Sequence, residues 1–511
     1  MRRRPNPPPP HPSMQKNMSK FYIRILLVCL VVLVLAACSS SEGGGGDDGP
    51  AAGQIPDKAG MTVKGMVKDN AGNAIAGVVV SDGLEVTATD ERGIYYLASD
   101  LARRNFVFVS VPADCEIPAT QGCPRFYRKI DRKQAVNRAD FTLTRRKTPA
   151  DRHSLIVMAD IQLAADNTSV GSYLDHVVPD VLKTVQGLPT EVYGVSLGDL
   201  VWNDMTLFPK YRQGLETLGF TTFSLPGNHD HDPAELTDSL ALQSYERYFG
   251  PANYSVNIGK IHYLFLDNIL FDHAPTAEEE YTIGLTDEIC RWIEADLRHV
   301  PAGSTLVVSS HCPILCHTKN TAARNHRNFQ RFLDAISPYK VHAFGGHKHY
   351  HDIYRYDDGR KVMHCIARTP GDLFINGDVN CDGTPRGYAV VEVDGEQLSW
   401  YYKSAGEKRD MQMRLYAPGR TNSACVYANV WGYDTAWSAV EWIPASGGQA
   451  VAMERTQRTD PYYEDVLATG ARGGTPTDTW HMFRTDPGSE RGGRVRVTDC
   501  FGHTYESSVS W

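Results

Sequence analysis

Five short polar clusters punctuate the middle of this chain, each following an apolar run: Asp160-Ile161-Gln162, Gly198-Asp199, Gly227-Asn228-His229-Asp230, Ser310-His311 and Gly345-Gly346-His347-Lys348-His349. Their side chains are carboxylates, amides and imidazoles, the hard and borderline ligands that divalent cations take. Two such cations about 3.5–4 Å apart can clamp a phosphoryl group and make a nucleophile of water at neutral pH. The pair needs one carboxylate to bridge it and further ligands to flank it. Asp160, Gln162, Asp199, Asn228, His311, His347 and His349 make up such a set. A single histidine after a strand is more often structural, but five clusters in succession point to a metal centre. Glycines before Asp199, Asn228 and His347 let the backbone turn sharply where the side chains must converge.

The elements that must position these residues are legible as apolar runs. Residues 154–159, 192–197, 222–225, 306–309 and 341–344 read as buried strands. Between them lie helical patterns such as 287–300, where Ile289, Trp292, Ile293, Leu297 and Val300 share a face and Thr286 is placed to cap. Buried strands alternating with amphipathic helices predict a layered α/β domain over 150–365. Its ligands are expected at the C-terminal strand edges, where open α/β sheets bind. On both sides the pattern turns to short strands between Asn/Asp/Gly clusters, which predicts all-β sandwich domains at 59–146 and 366–511. A hairpin over 388–403 is expected to belong to the second sandwich.

The order D-x-Q, G-D, G-N-H-D, a lone H and G-H-x-H, spread over 155–350, resembles the calcineurin-like metallophosphoesterases. The resemblance implies a four-layer α/β/β/α sandwich flanked by two β-sandwich modules, as in a bacterial exported three-domain branch. The front module is similar to carboxypeptidase-regulatory-like domains. The same resemblance assigns Asp160, Gln162, Asp199 and His349 to one metal, and Asp199, Asn228, His311 and His347 to the other. Asp199 is then the bridge, and His229 is the histidine that protonates the leaving group. The activity implied is hydrolysis of a phosphomonoester or phosphodiester by a metal-bridging hydroxide. Gln162 departs from the family's usual histidine. Its neutral amide oxygen favours Mn²⁺, with Mg²⁺, Fe and Zn²⁺ as the other candidates. The residue that orients His229 is open among Asn203, Asp204, Asp230 and Asp232. Arg368 and Arg386 are candidates to reach substrate phosphate.

Other features bound the function. The chain has 511 residues, 42% of them hydrophobic, and a net charge of −8, which argues against a nucleic-acid duplex as partner. Lys20 and Arg24 precede an uncharged apolar run, 25–37, too short to span a bilayer and of signal-peptide type. It ends in Leu35-Ala36-Ala37-Cys38, which resembles a lipobox, so 1–38 is expected to be a lipoprotein signal with Cys38 lipidated and Met14 or Met18 a candidate start. Residues 39–58 read as a flexible linker. The implied location is the bacterial cell envelope, with Ser39 pointing to the outer membrane. The implied substrate is a small-molecule or lipid-headgroup phosphate ester. An exported protein permits disulfides, with Cys115–Cys123 and Cys425–Cys500 as candidate pairs, and Cys312-x-x-x-Cys316 reads as loop structure. Asp378-x-Asn380-x-Asp382-Gly383 opens like a calcium loop but reads as a turn, because Ala389 stands at its twelfth position. The competing function is an inactive surface lipoprotein that binds glycan or protein through its sandwiches, on faces such as Trp431, Trp437 and Trp442.

Overall fold

Alternation along one strand sets the layering. In Arg152–Met158 (β1), Leu155 and Val157 pack into one core cluster, while Ile156 and Met158 pack into another. Both faces of β1 are therefore covered, which explains why its sequence is continuously apolar rather than alternating. The computed structural model describes residues 54–165, 168–271, 281–315, 317, 326–372, 378–421, 423–469 and 474–511. The signal segment, Cys38, most of the linker and Cys316 lie outside the described residues. Ile55–Trp511 forms one compact unit. Among the described residues no helix is long and apolar enough to cross a membrane.

Two sheets lie at the centre. The first pairs β1 in parallel with Glu191–Ser196 (β2), and β2 in turn with Thr222–Ser224 (β3). The second holds Tyr254–Ile258 (β4), Ile261–Leu266 (β5), Thr305–Ser310 (β6), Lys340–Gly345 (β7), Asp352–Tyr356 (β8) and Lys361–Cys365 (β9) in the order β4-β5-β6-β7-β9-β8. The sheets share a core, where Phe223 of β3 stacks on Phe265 of β5 with ring centroids 4.9 Å apart. Helices Val178–Val185 (α1), Phe208–Leu218 (α2) and Gln243–Phe249 (α3) cover the outer face of the first sheet. Asp287–Asp296 (α4) contributes Trp292 and Ile293 to the shared core, and Thr286 caps it by accepting from Ile289 N–H at 3.1 Å. This is the four-layer α/β/β/α arrangement, flanked by β-rich modules.

The hairpin of Gly387–Asp394 (β10) and Gln397–Ser404 (β11) differs from expectation. β10 runs antiparallel to β1 along its length, from Arg152–Asp394 to Val157–Ala389, and completes the first sheet as β3-β2-β1-β10-β11. The segment placed in the C-terminal sandwich on sequence thus belongs to the first central sheet through 404. Its apolar residues Val390 and Val391 face the two core clusters on either side of that sheet.

The front module packs as a sandwich of two sheets, and its strand Phe106–Ser110 lies against β4. Phe108 meets Trp292 of α4 edge-on at 6.2 Å, so this module shares the core between the two central sheets. The C-terminal module pairs two further sheets around Val426, Val440, Trp442, Val495 and Tyr505. None of the anticipated disulfides forms. Cys115 and Cys123 are buried in different core clusters, while Cys425 packs against the cluster of Tyr416, Tyr427 and Met482 and Cys500 lies against Arg355.

Candidate metal centre

Each cluster is delivered by the end of a strand. β1 presents Asp160 and Gln162, β2 presents Asp199, and β3 presents Asn228 and His229. From the second sheet β6 presents His311, and β7 presents His347 and His349. To aim inward, the backbone takes the left-handed region at Asp160 (φ 52°), Gln162 (48°), Asp199 (51°), Asn203 (56°), His347 (66°) and His349 (56°). That conformation disfavours residues with a Cβ, and its concentration in one place marks a functional site. Two glycines give the carboxylates room: a Cβ on Gly227 would fall 2.2 Å from Asp199 Oδ1, and one on Gly346 would fall 2.4 Å from Asp160 Oδ2.

All eight predicted centre residues come together. Asp160, Asp199 and His349 bring ligand atoms within 4.8 Å of one another, as do His311, Cys312 and His347. Asp160, Gln162, Asp199 and His311 are buried, while Asn228, His229, His347 and His349 are half-buried at the mouth. Asp160 accepts the His347 N–H at 2.9 Å through Oδ2 and lies 3.4 Å from His349 Nε2. Burial pushes the Asp160 carboxyl up, but the hydrogen bond and charge of His349, helped by His311, hold it below the ordinary range.

His311 identifies the kind of site. Its Nδ1 donates to Leu197 O at 2.8 Å, so Nε2 carries the ring's free lone pair. Around that nitrogen stand Asn228 Oδ1 at 3.0 Å, Asp199 Oδ1 at 3.3 Å and His347 Nδ1 at 3.2 Å. Burial lowers the His311 pKa, yet the charges of Asp199 and Asp160 outweigh it and raise it overall. Several lone pairs aimed at one small volume, with carboxylates drawing positive charge there, suit divalent cations. Cys312 is close as well, and burial raises its thiol well above the ordinary range.

Gln162 reaches the centre in an unexpected orientation. Its Nε2 donates to Asp199 Oδ2 at 2.9 Å, and its Oε1 accepts from Arg368 Nε at 2.6 Å. Arg368 is 2% exposed, so it faces inward to this amide rather than outward to substrate. Arg386 is half-buried beside Asp378, whose carbonyl accepts its backbone N–H.

The orienting partner of His229 is Asn203, whose Oδ1 lies 2.9 Å from Nδ1. Trp202 stacks on the imidazole with centroids 3.7 Å apart. The His229 N–H also donates to Asp199 Oδ1 at 2.9 Å, which ties this residue to the centre. Burial lowers the His229 pKa, against the opposing pull of Asp199. Asp230 serves the scaffold instead: it accepts the N–H groups of Leu200, Val201 and Gly227 and locks two of the site loops together. Sequence spacing could not single out Asn203, because its reach depends on the positive φ that turns it back toward His229.

A two-sheet α/β core whose strand ends converge carboxylates and imidazoles on one small volume defines a metal-binding hydrolase of the phosphoesterase class. The chain belongs to the calcineurin-like phosphoesterases. The family's profile, described as calcineurin-like phosphoesterase, matches residues 153–351, and profiles for the family's N-terminal and C-terminal parts match 61–146 and 364–505. The protein is accordingly a phosphate-ester hydrolase. No curated protein matches the chain. Solved structures similar to it include a dimetal phosphatase from Danio rerio, 12% identical, covering 49% of this chain and 96% of that one at a TM-score of 0.37. PhoD is 9% identical and covers 86% of this chain and 87% of that one at 0.36. A purple acid phosphatase from yellow lupin seeds is 11% identical, covering 85% and 69% at 0.31.

Proposed function

We propose that the protein hydrolyses a phosphomonoester or phosphodiester of a small molecule or lipid headgroup at a two-metal centre, from an exported, lipid-anchored position. The convergence of Asn228, Asp199 and His347 on the free nitrogen of His311 carries this reading. Asp160, Asp199 and His349 would hold one cation and Asp199, Asn228, His311 and His347 the other. Mn²⁺ is the foremost candidate for both positions, because the set is dominated by oxygen and imidazole donors. Such cations supply charge neutralisation for the phosphoryl group and a nucleophile at neutral pH.

The chain's own residues do the rest. Asp199 holds the two halves together and fixes the His229 backbone by accepting its N–H. His229, half-buried at the mouth, gives the leaving oxygen its proton from Nε2 while Nδ1 stays bonded to Asn203. Trp202 fixes the ring plane by stacking. The carboxylate pair keeps the centre anionic before loading, so cations are drawn in. The apolar run 25–37 and Cys38 support export and lipidation, with the outer membrane as proposed destination.

The glycan-binding alternative loses support at two of its three tryptophans, since Trp431 is 0% and Trp442 2% exposed, while Trp437 is half-buried against the C-terminal core. The test is elemental analysis of residues 39–511, followed by hydrolysis of a chromogenic monoester and a chromogenic diester with Mn²⁺ and with chelator. About two metals per chain and chelator-sensitive cleavage are expected. Empty sites and no cleavage with any divalent ion would overturn the proposal.

A further inference from the structure

We propose that Gln162 is a positioning residue rather than a metal ligand, and that Arg368 makes it so. This rests on the two-metal reading above. An amide coordinates through its oxygen, and here that oxygen is turned to Arg368, accepting from Nε at 2.6 Å, while the NH₂ end is turned to Asp199. The opposite assignment of the amide would set its NH₂ against the Arg368 N–H, donor against donor, so the hydrogen bonds fix which end faces where. The NH₂ group, which cannot bind a cation, is aimed at Asp199 Oδ2 from 2.9 Å.

Arg368 is itself held from several sides and is not free to release the amide. One guanidinium nitrogen donates to Gly371 O, and another donates to Ile161 O at 3.2 Å. The Arg368 carbonyl accepts from Asn380 Nδ2 at 3.1 Å. Asp199 Oδ2 is thereby occupied by a neutral donor, while Oδ1 points toward His311 at 3.3 Å. The two halves of the centre are then unequal. One offers Asp199, Asn228, His311 and His347. Among the described residues the other offers Asp160, Asp199 and His349, with a fixed guanidinium behind the amide. The second half is the weaker and more exchangeable one, and it has one more coordination position to give to substrate or solvent.

The test measures Mn²⁺ binding to the metal-free protein by equilibrium dialysis, with spin-coupled Mn²⁺ EPR as a second readout and circular dichroism as the folding control. The wild type is expected to show two classes of site at one Mn²⁺ each, the weaker at least ~10-fold looser. Gln162→Met removes both the oxygen and the hydrogen bond. It is expected to keep two Mn²⁺ per chain, with the weaker Kd raised by no more than the ~10–100-fold typical of an outer-shell partner. Arg368→Met frees the carbonyl and removes the guanidinium charge, so the weaker class is expected to tighten.

Loss of one Mn²⁺ in Gln162→Met would make the amide a ligand and overturn the inference. Loosening of the weaker class in folded Arg368→Met would do the same, since it would mean that Arg368 orients a ligating oxygen. A wild type that binds no Mn²⁺ or other divalent ion would bring down the two-metal reading with it, which separates the two failures.

Discussion

Among the buried clusters of carboxylate and imidazole in the described residues, two are distinguished by their hydrogen bonds. In the first, around Asp199, Asn228 Oδ1, Asp199 Oδ1 and His347 Nδ1 crowd one nitrogen of His311, and a single proton there can serve only one of these contacts. In the second, Asp382 accepts from His351 N–H at 2.8 Å, from Thr384 N–H at 3.0 Å and from the Thr384 hydroxyl at 2.8 Å, with His481 Nε2 at 3.2 Å. His481 Nδ1 bonds Asn429 Oδ1 at 2.6 Å, and Asn429 Nδ2 donates to Asp460 Oδ2 at 2.8 Å. Asp460 in turn caps the helix Pro461–Ala468 through Tyr462 and Tyr463. Every pair there can be closed by a proton. The backbone agrees: Asp199 and its neighbours sit at positive φ, whereas Asp382 does not. Residue type alone would have scored the two alike. The unmet need for positive charge separates a site built for cations from a polar knot that fastens the C-terminal module to the catalytic layers.

The comparison breaks most visibly at Asp199. Asp199→Ala is expected to lower turnover of a chromogenic ester by about 10³-fold or more, since bridge and charge are lost together while the fold, followed by circular dichroism, survives. Unchanged turnover would remove Asp199 from the centre. Chelation comes next. A cation present at 100 times its Kd stabilises the native state by about 2.7 kcal/mol, so chelator should lower the melting temperature and added Mn²⁺ restore it. The Asp382 cluster should be indifferent to both. His481→Ala sharpens the contrast from the other side. It strands Asp382 and Asn429 in a buried setting, with an expected loss of about 1–3 kcal/mol in denaturant unfolding. Metal content per folded chain should not change. A fall in bound metal would merge the two clusters into one functional unit.

Much of this is legible in the sequence alone. Apolar runs marked β1, β2, β3, β6 and β7, and the polar residues after them are the ones the structure gathers. Four features were not legible, each for a physical reason. The orientation of Gln162 depends on Arg368, which lies 206 residues away in sequence. The role of Asn203 depends on a backbone turn at φ 56°. The β10–β11 hairpin reads the same whether it closes a sandwich or extends a sheet, because alternation records burial but not partner. The cysteine pairs looked plausible by region, yet Cys115 and Cys123 face different cores. Spacing within a motif survives folding, whereas long-range pairing is decided by packing.

A third buried imidazole supplies the reference for both clusters and the smallest expected effect. His153 is 0% exposed, its Nδ1 donating to Ala150 O at 2.8 Å and its Nε2 accepting from the Tyr263 hydroxyl at 2.5 Å. One proton satisfies the whole ring, so neither a metal nor a carboxylate is needed. Burial, only partly offset by the Ala150 carbonyl, lowers its pKa to about 4. The unfolded chain takes up this proton near pH 6.5 and the folded chain near 4, so between those values the unfolded state binds more protons. The stability that His153 contributes is therefore complete above pH 6.5 and is lost as pH falls toward 4. His153→Asn should destabilise the protein by about 1 kcal/mol at pH 7.5. The gap from wild type should narrow by up to ~1.4 kcal/mol per pH unit on acidification. Melting temperatures of the metal-free proteins from pH 7.5 to 4 would measure this, and a gap constant across that range would mean that His153 is not held neutral in the fold.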